Sequence, residues 1–544
     1  MKRIFIISCV VLGCLAQEDS FWINRTLAAM TTHEKVAQLV MPAIPYDPDA
    51  EGLQDQLFTF KLPDGLNRSY AEHMVKEYGV GGFLLICEVG SVCNHAAFAN
   101  HLQSLSRIPL LFAQDFEPGK LRHPELLRLP LQMTLGALKN EQLIYEVGEV
   151  LGTRARRLGV HIIFAPVADV NNNPHNPVIG MRSFGDQPGD VARKAHLLME
   201  GIRQHAIPVM KHVPGHGDTT VDSHLGLPKI LHSRGRLESI EFVPFKYLIA
   251  NGIDAAMTAH IVFSELDADV PVTLSRKVIR SLLRGEWGFK GALFSDALNM
   301  HALTEHYSPE EIALKAYHAG NTVLVFPTDV PRVIQALVSS VESGAIMPND
   351  LDERVRAVLR LKARCGLDRE RYVTELQDPE ELNTHYVRTL KQRLYSQAVT
   401  CIGNRPVAQS DAQVLCIGSA VPFSDTMNNA GHIVVRVPAY SGYEEQVDTF
   451  LAKGDGPIVI ALSDMTKFPQ SYFGLDQFMI ININAAVERR PVHVVLFGSP
   501  YAASFFDKKI TIIQAFEDDA DAQIAAAQVL LGKCDVQGRM PVEL

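Results

Sequence analysis

The residues best suited to do chemistry are concentrated in KHVPGHGDTTVDSHLGLP, from Lys211 to Pro228, where an apolar run passes into a loop with three glycines. Asp222 and His224 stand two apart, so in an extended loop their side chains leave on the same side. The carboxylate can then orient and charge-stabilise the imidazole. A histidine held this way can donate a proton to a leaving oxygen and later take one from water, which is general acid–base work near neutral pH. Two plainer readings stay open for the loop alone. His212, His216, Asp218, Asp222 and His224 could ligate a metal ion, or all could be solvated loop residues. His216 and Asp218 read best as hydrogen-bonding residues that shape the loop.

A second constellation is Phe294-Ser295-Asp296-Ala297-Leu298-Asn299-Met300, in which one carboxylate ends a strongly apolar run. Ionised and hydrogen-bonded, Asp296 could attack an electrophilic anomeric carbon and form a covalent intermediate that a second group helps to break down. The alternative is an aspartate that caps the next helix.

These residues need elements to hold them. From about residue 30 to 366, short β-prone apolar runs alternate with longer amphipathic stretches, the pattern of repeated βα units around a parallel sheet. The runs are Val36–Met41, Val80–Ile86, Pro109–Ala113, Val160–Ala165, Ile207–Met210, Ala255–Thr258, Ala292–Phe294 and Thr322–Phe326. Eight units predict a closed (β/α)8 barrel, which needs about 250 residues before insertions; an open doubly wound sheet is the alternative. In a barrel the chemistry gathers at the carboxyl ends of the strands. Here the runs lead to Asp115, Asp169, Lys211 with His212, His260 and Asp296. Burying that many ionisable groups at random would cost several kcal/mol each unless they were paired, so a shared site is expected.

Around 367–394 the composition turns charged and loop-like, which predicts a linker between a first domain at 20–366 and a second at 395–544. Apolar runs at Val399–Ile402, Val414–Ile417, Ile433–Val437, Ile458–Leu462, Val492–Phe497 and Ile510–Ile513 predict a smaller open α/β sandwich there. It carries no cluster of catalytic residue types.

Hydrophobic residues at 47% and charged residues at 21% suit a globular chain, and the net charge of −10 argues against nucleic acid or an anionic lipid surface as partner. Lys2 and Arg3, the apolar run Ile4–Val11 and small residues to Ala16 predict a signal peptide over 1–16 and an exported protein. Val11-Leu12-Gly13-Cys14 resembles a bacterial lipobox, which makes Cys14 the candidate lipid-anchor site, with ordinary cleavage after Ala16 as the alternative. No later segment is long and apolar enough to span a bilayer. The eight cysteines form no CxxC pair, and Cys365, Cys401 and Cys416 sit among apolar neighbours as expected of small core residues.

The Lys211–Pro228 and Phe294–Met300 segments resemble the paired signatures of glycoside hydrolase family 3, in its β-N-acetylglucosaminidase branch. The resemblance extends through Thr31–Met41, Gly79–Ile86, Asp115–Gly119, Phe164–Gly185, Met257–Leu274 and Leu282–Met300. It continues more weakly through Glu517–Gly532 and Gly538–Val542 of the second domain. It implies an exo-acting retaining hydrolase that needs no cofactor or metal. Asp296 would be the nucleophile and Asp222 with His224 the acid–base dyad; Asp115, Arg182, Lys211 and His212 would bind the sugar hydroxyls, and His260 would line the pocket. The implied partner is a small saccharide ending in β-linked N-acetylglucosamine, and an envelope location would make peptidoglycan fragments its source. Alternatives are a β-glucosidase or N-acetylglucosamine phosphorylase of the same family, a metal-dependent hydrolase, and a non-catalytic sugar-binding protein. One departure falls in the third-strand loop: Glu117-Pro118-Gly119 stands where two glycines usually follow the acidic residue, with Lys120 and His123 where arginines are common.

Overall fold

A computed structural model describes residues 21–48, 66–86, 90–120, 123–222, 225–404, 412–439, 442–453 and 456–544. The expected leader, Cys14 and His224 lie outside the described residues. The five described cysteines, Cys93, Cys365, Cys401, Cys416 and Cys534, are free thiols. No helix among the described residues is long and apolar enough to cross a membrane.

The first domain holds strands β1 (Val40–Met41), β2 (Ala43–Pro45), β3 (Gly82–Ile86), β4 (Leu111–Gln114), β5 (Ile162–Ile163), β6 (Ile207–Val213), β7 (Lys229–Ile230), β8 (Ala255–Thr258), β9 (Val262–Phe263), β10 (Ala292–Ser295) and β11 (Leu324–Val325). Seven of them run in the order β10-β8-β6-β5-β4-β3-β2, and every neighbouring pair is parallel. Two further contacts close the ring. The Ser295 N–H donates to Val323 O at 3.0 Å, and β11 pairs in parallel with β1, Val40 opposite Leu324. Because β1 and β2 are one strand interrupted at Pro42, the result is the expected eight-stranded parallel barrel. β7 and β9 form a separate parallel pair above it.

Each expected apolar run contributes a barrel strand, with one shift. The first run begins in a helix, Thr32–Ala37, because Thr31 and Glu34 form a capping box: the Glu34 N–H donates to Thr31 Oγ1 at 3.2 Å and the Thr31 N–H to Glu34 Oε2 at 2.8 Å. Val36 therefore packs from a helix, and the strand starts at Val40. The amphipathic helices Gln142–Arg157 and Pro188–Arg203 lie side by side outside the barrel, and their glycines let them approach: a Cβ on Gly201 would come within 2.3 Å of Tyr145 O.

The second domain is a six-stranded sheet of β12 (Thr400–Ile402), β13 (Gln413–Ile417), β14 (Val434–Val437), β15 (Ile458–Leu462), β16 (Val492–Leu496) and β17 (Thr511–Gln514). Its order is β12-β17-β16-β15-β13-β14, parallel except for the β12–β17 pair. Alternate residues of each strand serve opposite faces. Val414, Cys416, Val459, Ala461 and Val495 pack with Phe423 and Ala526 on one side, and Leu415, Ile460, Leu462 and Val494 pack with Val447 and Ile483 on the other. The sheet is thus covered on both faces, the open sandwich expected. The stretch 367–394 holds a short turn of helix at Pro379–Glu381 and most of helix His385–Ala398, whose Tyr395 joins the second-domain core.

Candidate active site

The carboxyl ends of the barrel strands carry a dense charge array. Asp115 follows β4 directly, and its Oδ1 accepts from Lys211 Nζ at 2.6 Å while Oδ2 accepts from Lys120 Nζ at 3.1 Å. Glu117, almost wholly buried, takes a bidentate pair from Arg182 (Nε at 2.9 Å, Nη2 at 2.7 Å) and lies 2.6 Å from Lys211 Nζ. Burial would raise both carboxyls. At Glu117 the charges of Arg182, Lys120 and Lys211 outweigh it and hold the group well below the usual carboxylate range; at Asp115 those of Lys120 and Lys211 do the same. Lys211 is 1% exposed, whereas Asp115 keeps 42% of its side chain open. Asp115 is therefore the carboxylate of the array that a ligand can reach.

Beside this array sits a second one built on Asp169, which is fully buried. Its Oδ2 accepts from His212 Nδ1 at 2.7 Å and its Oδ1 from the His216 N–H at 2.7 Å. These contacts keep its carboxyl below the ordinary range in spite of burial. With Nδ1 protonated toward Asp169, His212 presents Nε2 as an acceptor, 3.4 Å from Arg182 Nη2. The two arrays are thus joined through Arg182. His216 packs edge-on against His212, with ring centroids 5.5 Å apart, and its Nδ1 meets Thr219 Oγ1 at 2.9 Å. Burial lowers His216 to about 4, with the Asp169 and Asp296 carboxylates pulling weakly the other way. His216 is a neutral imidazole near neutral pH.

Asp296 follows β10 and is set by main-chain contacts. Its N–H donates to Thr258 O at 3.1 Å, and its Oδ1 accepts from the Ala297 N–H at 2.8 Å. The next helix, His301–Thr304, is capped at Met300 without a side-chain hydrogen bond, so Asp296 does not serve as its cap. His260 is buried behind this turn: Nδ1 meets Thr273 Oγ1 at 2.8 Å and Nε2 donates to Ala297 O at 3.0 Å. Both ring nitrogens are engaged by the protein, and His260 holds the Ala297 carbonyl next to Asp296.

The root of the 214–228 loop is held firmly. Asn176 Nδ2 donates to the carbonyls of His216 (2.8 Å) and Gly217 (2.9 Å), and Asp218 Oδ2 lies 2.5 Å from His232 Nε2. Gly217 is obligatory, since a Cβ there would come within 1.7 Å of Val170 O. Beyond the root, Asp222 is half-buried, and its carbonyl accepts the N–H groups of Leu225 (2.9 Å) and Gly226 (3.0 Å). Three described members of the metal-ligand set are spread over different partners: His212 on Asp169, His216 on Thr219 and Asp218 on His232. Among the described residues no group of three or more His, Cys, Asp or Glu side chains converges as a metal site.

A family model described as the glycosyl hydrolase family 3 N-terminal domain matches residues 31–361. The chain belongs to glycosyl hydrolase family 3. Its first domain is accordingly the barrel of a glycoside hydrolase. Beta-hexosaminidase A of Pseudoalteromonas piscicida is 30% identical over 325 residues, and that match spans 54% of this chain and 54% of the relative. The chain therefore spans about half the length of that relative. A beta-N-acetylglucosaminidase/beta-glucosidase of Cellulomonas fimi is 25% identical over 96% of this chain and 95% of its own. The solved structure of a family 3 beta-N-acetylglucosaminidase from a Paenibacillus species superposes with a TM-score of 0.80 at 29% identity, covering 95% of this chain and 99% of that one.

Within the family 3 barrel, Asp115, Arg182, Lys211 and His212 come together as one array, and Asp296 belongs to the same strand-end face. Asp169, expected at the end of the fourth run, joins them through His212. Two members of the array, Glu117 and Lys120, were not singled out from the sequence and stood only as departures in a loop. The available signal was charged residues just past the end of an apolar run, where an unpaired charge is too costly to bury.

Proposed function

We propose that the protein is an exo-acting, retaining β-N-acetylglucosaminidase. The observation that carries the reading is the half-open Asp115 carboxylate set between Lys120 and Lys211, with Arg182 held beside them on Glu117, on the strand-end face that also holds Asp296. A carboxylate there accepts protons from two sugar hydroxyls, while Arg and Lys donate to hydroxyl oxygens. The names of the hexosaminidase and N-acetylglucosaminidase relatives support the same substrate class.

In this mechanism an Asp296 oxygen attacks the anomeric carbon as the bond to the leaving oxygen breaks. His224, polarised by Asp222, delivers a proton to that oxygen. His224 then takes a proton from water, the resulting hydroxide displaces Asp296, and the sugar leaves with its β configuration retained. Asp115, Arg182, Lys211 and His212 hold the ring, and His260 steadies the nucleophile's turn. The protein supplies every group in this cycle without a cofactor. Following an exported leader over 1–16, with Cys14 as the candidate lipid-anchor site, we take peptidoglycan fragments as the natural substrate.

Aryl β-glycosides of GlcNAc, glucose, xylose and GalNAc, assayed with and without inorganic phosphate, test the reading. The GlcNAc glycoside is expected to turn over fastest, and NMR of the first product should show the β-anomer. Asp296→Asn is expected to lower kcat by at least about 1,000-fold, on the scale of a lost nucleophile. Initial release of the α-anomer would remove Asp296 from that role, and a preference for glucose would overturn the substrate assignment. Formation of the sugar 1-phosphate in place of free sugar would make the enzyme a phosphorylase.

A further inference from the structure

We propose that Tyr501, a residue of the second domain, is a positioning residue for the sugar-binding array and acts through Asn171. The inference rests on the reading of the site given above. Tyr501 lies in the turn Pro500–Phe505 that follows β16. Its hydroxyl donates to Asn171 O at 2.9 Å and accepts from Asn171 Nδ2 at 3.1 Å. Both residues are buried, so each bond is made away from competing water.

Asn171 is two residues past Asp169, and its own N–H donates to Gly185 O at 2.8 Å. Ser183 Oγ ties the two stretches again by donating to Asp169 O at 2.6 Å. Residues 169–171 and 182–185 therefore form one block, which carries Asp169 at one corner and Arg182 at another. Asp169 sets the His212 ring and Arg182 meets its far nitrogen, so turning this block displaces both partners of His212 together. The barrel leaves the orientation of Asn171 underdetermined: its Oδ1 is buried with no hydrogen-bond partner. The two bonds from Tyr501 supply the missing constraint. The second domain grips the same block once more, where the Asp186 N–H donates to Pro541 O at 3.1 Å, and a Cβ on Gly185 would sit 2.2 Å from that oxygen.

Tyr501→Phe in the full chain keeps the ring and removes both bonds. On the aryl β-GlcNAc substrate kcat/KM is expected to fall by about tenfold or more, with much of the loss in kcat, as for an interaction that matures in the transition state. Asn171→Leu removes the Nδ2 bond and keeps the Asn171 carbonyl, so it should reproduce part of the loss, and the double variant should cost no more than Tyr501→Phe alone. Val414→Ala, in the second-domain core on β13, whose strand neighbours are β14 and β15, is expected to lower Tm while leaving kcat and KM unchanged. The His212 Nδ1 proton on Asp169 gives an activity-independent readout, because its downfield imidazole resonance should shift or broaden in Tyr501→Phe. A wild-type chain that cleaves no aryl glycoside defeats the functional reading, and the imidazole resonance still reports on the clamp. Wild-type kinetics together with an unmoved resonance in Tyr501→Phe, or additive losses in the double variant, would overturn the proposal.

Discussion

Glu117 shows how far a single buried carboxylate can govern a site. It is 2% exposed and is shared by Arg182 and Lys211, both proposed above to bind the sugar. Glu117→Gln keeps the shape but leaves two cations short of a counter-charge, which costs about 3–5 kcal/mol when a buried pair is broken from one side. Urea unfolding at neutral pH is expected to show a loss of that size. Because the folded Glu117 value is depressed, its contribution is complete above the ordinary glutamate range and fades as the pH falls through the lowered folded value. The gap between variant and wild type should therefore narrow in strong acid; a gap that stays constant with pH would count against the ion-pair account. Asp115, Arg182, Lys211 and His212 were legible as a group because each follows an apolar run or lies in a motif. Glu117 was not, since a carboxylate in a Pro-Gly turn has an ordinary explanation until its partners, distant in sequence, are brought to it.

At the scale of elements, strand number and order of the barrel were legible because parallel strands buried on both faces read as continuous apolar runs. The ends of the strands were less so. Val36 is as apolar as Val40, and only the Thr31–Glu34 capping box assigns it to a helix. The loop after β6 carries three glycines, residues that taken alone read as conformational freedom. Its root is instead locked, and Gly217 serves close approach to Val170 O. Gly217→Ala must push the loop off the Val170 turn, so activity is expected to collapse while the far-ultraviolet circular dichroism of the barrel stays as in wild type. Retention of full kcat in Gly217→Ala would show that the loop root can move without harm to the site.

For the whole molecule, the two domains meet through polar contacts that no sequence pattern announced, because each partner alone reads as a loop residue. Glu517 Oε1 accepts from the Leu131 N–H at 2.7 Å and from Thr134 Oγ1 at 2.6 Å, and Arg128 lies 3.3 Å from Oε2. Burial pushes the Glu517 carboxyl above its ordinary value, and Arg128, Thr134 and the Leu131 N–H only partly offset it. A raised folded value means that its contribution is whole below the unfolded glutamate value and is lost as pH rises through the folded one. Comparing Tm against pH for wild type and Glu517→Gln isolates this group: the wild type should lose stability relative to the variant across that window, by about 1.4 kcal/mol for each pKa unit of the shift. Parallel curves would show that Glu517 does not titrate at the interface.

The closure of the ring between β10, β11 and β1 joins the two extremes of the first domain, and Lys211 and Asp115 meet across 96 positions of chain. Such long-range joins carry the largest entropic toll and form late in folding. A half-assembled chain therefore exposes open strand edges but has not yet gathered the charges proposed to bind the sugar. Saccharide affinity in this protein is a report of completed assembly, and an unfinished molecule is silent toward its substrate.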